Sequence, residues 1–160
     1  MFDELKKYGL QDIPFSCDEL MLMDAFFELR TLKKNEFLFE ANHVCDFVGF
    51  IAEGSIWNYY IHDGKEITCD FSFENTWVTD IQSFRNGSSG RMNLQGIEYT
   101  IVNFIRKRKL LQLYQESPKF ELMGRQIIES IVQKVTETAV SERSDKPEER
   151  FVKLLKKRPN

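Results

Sequence analysis

Residues that build metal and redox sites are scarce in this sequence. Its 160 residues include only three cysteines and two histidines. Cys17, Cys45 and Cys69 stand far apart without a CxxC pair, which argues against structural zinc and against an iron–sulfur cluster. His43 and His62 have no second ligand at the spacing that metal sites need. We therefore expect no bound metal and interpret the cysteines as reduced thiols of a cytoplasmic protein.

Long apolar runs and an excess of positive charge are also lacking. No stretch reaches the roughly 18 consecutive apolar residues of a membrane span. Residues 1–7 carry two acids and have no apolar run of the kind found in a signal peptide. The formal net charge of −3 leaves the chain without a basic field for holding nucleic acid. These absences predict a chain that contacts neither a membrane nor, by itself, DNA.

Apolar and aromatic residues, at 42% and 13%, are abundant enough to build a folded core. From residue 32 to residue 104 they fall in short runs separated by turn signals about every 8–12 residues, a spacing typical of a β-sandwich or barrel. Asp63-Gly64 predicts a tight hairpin turn. On the run before it, strand alternation places Trp57 and Tyr59 on one face and Tyr60 on the other. We predict a mainly β centre.

Helical patterns flank this centre. Residues 1–30 carry two weak patterns, interpreted as a helical lead-in, whereas residues 119–143 predict one long helix with a broad apolar stripe. One side of the stripe suits packing on the β structure. Adjacent positions step by alternate fours and threes, as in a two-stranded coiled coil, and predict a homodimer. The expected dimer positions are Ile128, Ile131, Val135 and Thr138.

The last segment, residues 144–160, begins with a break and continues as a short amphipathic helix. Its apolar residues, among them Phe151 and Leu154, have nothing obvious to pack on within this sequence. We expect this helix to be the start of a further domain that the chain does not contain.

The order of these elements over residues 28–158 resembles the superfamily of the cyclic-AMP receptor protein and the fumarate–nitrate regulator, which are bacterial transcription factors. Four segments carry the resemblance: residues 32–39, 47–56, 71–75 and 147–155. Gly54 stands at the family's sharp turn between strands, and Asn35 stands in a turn where the family often has glycine; asparagine tolerates the left-handed conformation next best.

The resemblance implies a fold, which is mainly β with flanking helices. It consists of a double-stranded β-helix, or jelly-roll barrel, of cyclic-nucleotide-binding type over residues 31–118, followed by a long C-terminal dimerisation helix. Residues 144–160 would open a truncated winged helix-turn-helix domain. DNA would then be bound only through a helix-turn-helix domain that is not present in this chain.

The resemblance also implies a ligand site. Arg91 matches the family's phosphate-holding arginine, while Asp80 and Thr79 replace the glutamate that binds the ribose hydroxyl and the glycine before it. Thr136 falls near the hydroxyl that the family offers to the base. The implied ligand residues are Arg91, Asp80, Thr79, Ser83, Met92 and Thr136. The implied effector is cyclic AMP or another small anion, although Arg91 could equally be a rim arginine paired with Asp80.

Three functions follow from the sequence. The first is an effector-sensing and dimerising region of a transcription regulator, which is not an enzyme. The second is a ligand-free barrel that serves for dimerisation and protein contact. The third is a cupin-like metalloenzyme, which has no paired carboxylates, metal triad or nucleophile–base set to support it.

Overall fold

Eight strands in two antiparallel sheets form the centre of the chain. The computed structural model describes residues 1–10 and 12–157. The strands are β1 (Glu28–Leu32), β2 (Phe37–Phe39), β3 (Phe47–Glu53), β4 (Ile56–His62), β5 (Lys65–Ser72), β6 (Trp77–Val78), β7 (Asn93–Gly96) and β8 (Thr100–Arg106). One sheet has the order β1-β8-β3-β6 and the other β2-β7-β4-β5. Within the described ranges no pair of these strands joins the sheets, so the mainly β prediction is confirmed without the expected barrel closure.

Residues with positive φ angles form the sharpest turns of the chain. The β4–β5 hairpin turns at Asp63 and Gly64, whose φ angles of 51° and 73° are those the Asp-Gly pair predicted. Asn35 is left-handed, with φ of 68°. Gly54, with φ of 87°, lies so close to the next chain segment that a Cβ would stand 2.4 Å from the carbonyl oxygen of Tyr99. A side chain at Gly54 would therefore disrupt the turn.

Two short helical segments precede the first strand in the described part of the chain. A π-helical turn, Leu5–Gly9, precedes α1, Cys17–Phe26. Helix α1 starts with a capping box, in which Ser16 Oγ accepts the main-chain N–H of Glu19 while the Glu19 carboxylate accepts that of Ser16 at 2.7 Å. β1 begins at Glu28, inside the segment predicted as a helical lead-in, because it pairs along its length with β8.

Four further helices follow β6 in the described part of the chain. They are α2 (Ile81–Asn86), α3 (Lys107–Tyr114), α4 (Pro118–Ser144) and α5 (Pro147–Lys157). Ser117 caps α4, and Pro118 takes the first helical position, where its missing N–H costs nothing. The amino-terminal half of α4 is buried through side chains such as Phe120, Met123 and Ile127. Its remainder projects beyond that core with one side against the β structure.

The buried side chains form two clusters on opposite faces of the β1-β8-β3-β6 sheet. One cluster lies between the two sheets and includes Ile51 and Leu94. The other joins the outer face of the first sheet, through Phe50 and Ile105, to α1, α3 and α4. Because Phe120, Met123 and Ile127 belong to this second cluster, the first turns of α4 are buried, whereas Lys134 further along the helix contacts Asp70 of β5.

Candidate functional site

A cavity of about 930 Å³ lies between the β2-β7-β4-β5 sheet, the loop after α2, and α4. This volume is in the range of small-molecule sites, about 300–1,000 Å³. Its lining combines apolar side chains such as Leu94 and Ile131 with polar ones such as Asn58, Asp70 and Lys134. Because α4 forms one wall, a molecule that fills the cavity would contact that helix.

Asp80 ties the loop together at the edge of the cavity. Its Oδ1 accepts the main-chain N–H of Ser83 at 3.0 Å and caps α2, while its Oδ2 accepts the N–H groups of Arg91 and Met92 at 2.9 and 3.1 Å. Gly90 permits this approach, since a Cβ there would stand 2.6 Å from Asp80 Oδ2. The carboxylate is buried and its hydrogen bonds are made within the chain.

Two of the expected ligand hydroxyls are directed to the protein itself. Thr79 lines the cavity, but its Oγ1 donates to the carbonyl of Phe47 at 2.7 Å. Ser83 is buried outside the cavity lining, where its Oγ donates to Ser88 and accepts the N–H of Cys45. These hydroxyls hold the α2 loop against β3.

Arg91 and Met92 stand at the mouth of the cavity. Arg91 is exposed, and within the described part of the chain its guanidinium forms no ion pair. Its link to Asp80 runs through the main chain alone. Met92 Sδ lies 3.9 Å from the Sγ of Cys69, a thiol whose pKa is raised by burial. Arg91 is thus available to a ligand, whereas Met92 packs as an apolar lining residue.

Thr136 lies apart from the other expected ligand residues. It is exposed, and its hydroxyl donates to the carbonyl of Val132 one turn earlier. It lines a separate cavity of about 730 Å³ between β5, α4 and α5. The structure therefore brings Arg91, Asp80, Thr79 and Met92 to one cavity and leaves Thr136 and Ser83 outside it.

The four expected dimer positions fall on different sides of α4. Ile131 is only 4% exposed because it packs into the chain's own core. Ile128 and Thr138 are half-buried, whereas Val135 is 55% exposed. Only part of the expected seam is therefore open to a partner. The exposed apolar side of α4 includes Val132, at 48% exposure, in place of Ile131.

The floor of the cavity carries a polar cluster that the sequence analysis did not predict. Asn58 and Asp70 stand directly opposite each other on β4 and β5. Asn58 Nδ2 donates to Ser72 Oγ at 2.6 Å, and Lys134 Nζ of α4 donates to the same oxygen. The sequence did contain a signal for this cluster, because strand alternation in β4 places Asn58 on the same side as the buried Ile56. Trp57 and Tyr59 stack on the opposite face, as that alternation predicts.

Lys134 and Asp70 bring opposite charges into this cluster. Lys134 Nζ lies 3.3 Å from Asp70 Oδ2, and both side chains are less than one-quarter exposed. Burial lowers the pKa of Lys134, and the nearby Asp70 carboxylate opposes that effect. Lys157, on α5, reaches the other carboxylate oxygen at 3.7 Å. Asp70 therefore contacts cations from both α4 and α5.

Residues 1–10 and 12–157 contain no group of three or more His, Cys, Asp and Glu side chains placed to hold a metal ion. No helix in these ranges is long and apolar enough to cross a membrane.

Comparisons with known proteins agree with this architecture. No protein-family model and no curated protein matches the chain. A cyclic nucleotide-binding domain from Methylobacillus flagellatus superposes with a TM-score of 0.75 at 15% identity, over 89% of this chain and 82% of that one. For the Thermus thermophilus catabolite activator protein the TM-score is 0.67 at 14% identity, over 84% and 62%. For the sensor domain of the regulator DNR from Pseudomonas aeruginosa it is 0.63 at 17% identity, over 89% and 90%.

These superpositions establish the fold. The chain has the fold of cyclic nucleotide-binding domains and of the sensor domains of transcription regulators, which confirms the resemblance drawn from residues 28–158. It spans about three-fifths of the length of the Thermus protein.

Proposed function

We propose that this chain is the effector-sensing and dimerising region of a bacterial transcription regulator, with a non-enzymatic, cytoplasmic role. One observation carries the proposal: α4 forms a wall of the cavity and also has an exposed apolar side. Ile131, Lys134 and Thr138 face the cavity, and Val132 is open to solvent. Val135 lies at the edge between the two, since it lines the cavity and is also 55% exposed. A molecule that fills the cavity would therefore act on the surface through which two copies would meet.

The dimer seam is proposed along Ile128, Val132, Val135 and Ala139. These positions step by four, three and four, the spacing of a two-stranded coiled coil. The last three are exposed, and exposed apolar stripes on a helix are typical of interaction surfaces. This seam replaces the buried Ile131 and half-buried Thr138 of the sequence-based prediction. The strand order supports a double-stranded β-helix as the scaffold on which the paired helices rest.

The effector is proposed to be a small molecule held in the 930 Å³ cavity. The sequence implied cyclic AMP or another small anion at Arg91. Arg91 is free to contact an anionic part of a ligand at the mouth. The N–H groups of Arg91 and Met92, however, already donate to Asp80, so they are not available to a phosphate in this conformation. The same observation favours the second candidate, a ligand-free dimerisation platform, over a cyclic-nucleotide sensor.

DNA contact is assigned to a winged helix-turn-helix domain of which α5 would be the first helix. Phe151, Val152 and Leu155 of α5 are exposed, as expected for a helix that packs within another domain. In this arrangement, a conformational change at the cavity would move α4 and so alter the dimer interface. The dimer interface would in turn set the distance between the two DNA-binding domains.

The proposal is tested by calorimetry with cyclic AMP, cyclic GMP and a defined metabolite library, followed by hydrogen exchange of residues 132–144 with any ligand that binds. A sensor requires that a ligand bind the two states of α4 with different affinity, so exchange in this segment must change. Arg91→Ala should weaken an anionic ligand about tenfold or more. A ligand that binds in the cavity without altering exchange, or an absence of binding across the set, contradicts the sensor and supports the platform.

A further inference from the structure

One carboxylate on β5 contacts both α4 and α5. Asp70 Oδ2 lies 3.3 Å from Lys134 Nζ of α4, and Asp70 Oδ1 lies 3.7 Å from Lys157 Nζ of α5. The Asp70 side chain is only 16% exposed. Salt screens charges at such a partly buried position less than charges in solvent, so both cations are attracted to the same carboxylate.

The two lysines compete for Asp70. Burial lowers the pKa of Lys134, the Asp70 carboxylate opposes that effect, and the positive charge of Lys157 lowers the pKa further. Each ammonium therefore weakens the attraction between the other ammonium and Asp70, because like charges repel. If Lys134 moves away from Asp70, Lys157 loses a competitor and is held more tightly.

Helix α5 buries little of its surface against the described chain. None of its residues is buried, and Leu154 is the one half-buried residue in the helix. Lys153 pairs with Asp145, which lies in the turn before the helix, so this pair does not reach the β structure. The pair of Lys157 and Asp70 ties the far end of α5 to β5. Because a helix with so little burial opens locally at a low cost in free energy, one ion pair changes that opening measurably.

The ion pair of Asp70 and Lys134 also joins two walls of the 930 Å³ cavity. Asp70 belongs to the β5 wall, and Lys134 belongs to the α4 wall. A molecule that widens the gap between these walls would lengthen the distance between the two charges without touching the Asp70 oxygens. The contact of α5 with Asp70 would then respond to a change in the cavity.

We propose that Asp70 couples the cavity to α5: when α4 moves away from β5, Lys134 leaves Asp70, and Lys157 holds α5 more tightly against the β structure. An occupied cavity would thus restrain α5, and an empty one would leave it freer to open. The inference rests on the proposed function in assigning the response to an effector to α4. It adds the route by which that response reaches α5 and the direction of the effect.

Hydrogen exchange of the full chain, measured by mass spectrometry over residues 147–157, tests the coupling without an effector. Lys134→Met removes the competing cation and should slow exchange in α5 by about threefold, the size expected for a partly exposed ion pair. A purely structural role for Lys134 predicts faster exchange instead, because the same substitution destabilises the chain. The control is Arg125→Met, which removes an exposed cation of α4 paired with Glu129 and should leave exchange in α5 unchanged. Faster or unchanged exchange in α5 of Lys134→Met overturns the proposal.

A second pair of variants tests the competition from the side of α5. Lys157→Met should speed exchange in α5 by about threefold. It should also raise the pKa of Lys134, measured by nuclear magnetic resonance of isotope-labelled lysine side chains, because a repelling charge is lost. Lys156→Met removes a neighbouring exposed cation that forms no ion pair within residues 1–10 and 12–157, and it should change neither quantity.

An unchanged pKa of Lys134 in Lys157→Met overturns the proposal even where Lys134→Met fails to fold. The failure of the proposed function would look different, because these measurements need no effector. Coupling between Lys134 and Lys157 in the variants, together with an absence of binding in calorimetry, would overturn only the sensor function.

Discussion

The carboxylate of Asp80 accepts the main-chain N–H of Arg91 at 2.9 Å. The resemblance drawn from the sequence had placed these two residues on opposite parts of a ligand, the ribose and the phosphate. In the structure they bind each other, and an internal carboxylate occupies donors that an external anion would need. These hydrogen bonds hold the loop to the chain itself.

The first prediction concerns Asp80→Ala. Loss of the α2 cap and of the two loop hydrogen bonds should lower the free energy of unfolding by about 2–3 kcal/mol. It should also free the N–H groups of Arg91 and Met92, so that inorganic phosphate stabilises the variant against heat and leaves the parent unchanged. Urea denaturation and thermal melting measure the two effects. Asp46→Ala, which removes an exposed ion pair with Arg106, is the control and should cost less than about 1 kcal/mol.

The second prediction concerns the exposed side of α4. Val135→Asp places a charge in the proposed seam and should weaken dimerisation about tenfold or more, since burying an unpaired charge is unfavourable. Gln133→Asp introduces the same group on the opposite side of the helix and should leave the dimer intact. Sedimentation equilibrium gives both dissociation constants. Equal effects of the two substitutions, or a parent chain that stays monomeric at all concentrations, would refute pairing through this seam.

The third prediction concerns the ion pair between Lys134 and Asp70. Lys134→Met leaves a largely buried carboxylate without its nearest cation and should destabilise the chain by about 3 kcal/mol. Adding Asp70→Asn should recover most of that loss, because the remaining charge is then removed. Urea denaturation of the double-mutant cycle measures the coupling. The exposed pair of Arg125 and Glu129 is the comparison, and Arg125→Met should change stability by less than about 1 kcal/mol. Additive effects at Lys134 and Asp70 would show that the pair is not coupled.

The fourth prediction is a pH dependence at Glu19, which joins α1 to the start of α4. Hydrogen bonds from Lys119, Ser16 and Ser117 lower its pKa from 4.5 to about 2. A carboxyl whose pKa is depressed on folding stabilises the folded state above its unfolded pKa, and that contribution is lost as the pH falls toward 2. Glu19→Gln should therefore lower the urea midpoint at pH 7 and have a shrinking effect below pH 4.5.

The control for Glu19 is Glu116→Gln, a substitution of an exposed residue in the turn before α4. It should leave the urea midpoint unchanged at every pH. A difference between Glu19→Gln and the parent that persists undiminished at acid pH would mean that the charge of Glu19 does not contribute.

Local chemistry made several features predictable. The hairpin at Asp63-Gly64 follows from conformations that few residues adopt, while the family resemblance located the left-handed Asn35 and the sharp turn at Gly54. Strand alternation assigned the stacked Trp57 and Tyr59 to one face. The long helix was predicted over 119–143 and spans Pro118–Ser144. In these cases the determining interactions lie within a few residues along the chain.

The candidate site was predictable only in part, because its partners are distant in sequence. Whether Asp80 binds a ligand or the chain depends on where the loop at Gly90 returns. Whether Ile131 meets a partner or its own core depends on how α4 crosses the sheet. The 1-8-3-6 and 2-7-4-5 strand orders, which leave the two sheets unclosed, likewise arise from long-range pairing.

The contact between Asp80 and Arg91 illustrates the difference between what the sequence predicts and what depends on the tertiary structure. The sequence by itself determined the β-rich centre, its turns, the long helix and the presence of an acid and an arginine eleven positions apart. Only the tertiary structure decided that the acid binds the loop's own N–H groups and that Asn58, Asp70 and Lys134 converge on the cavity floor. Hydrogen bonds and burial act over a few ångströms in space, and residues brought within that range by β4, β5 and α4 are far apart along the chain.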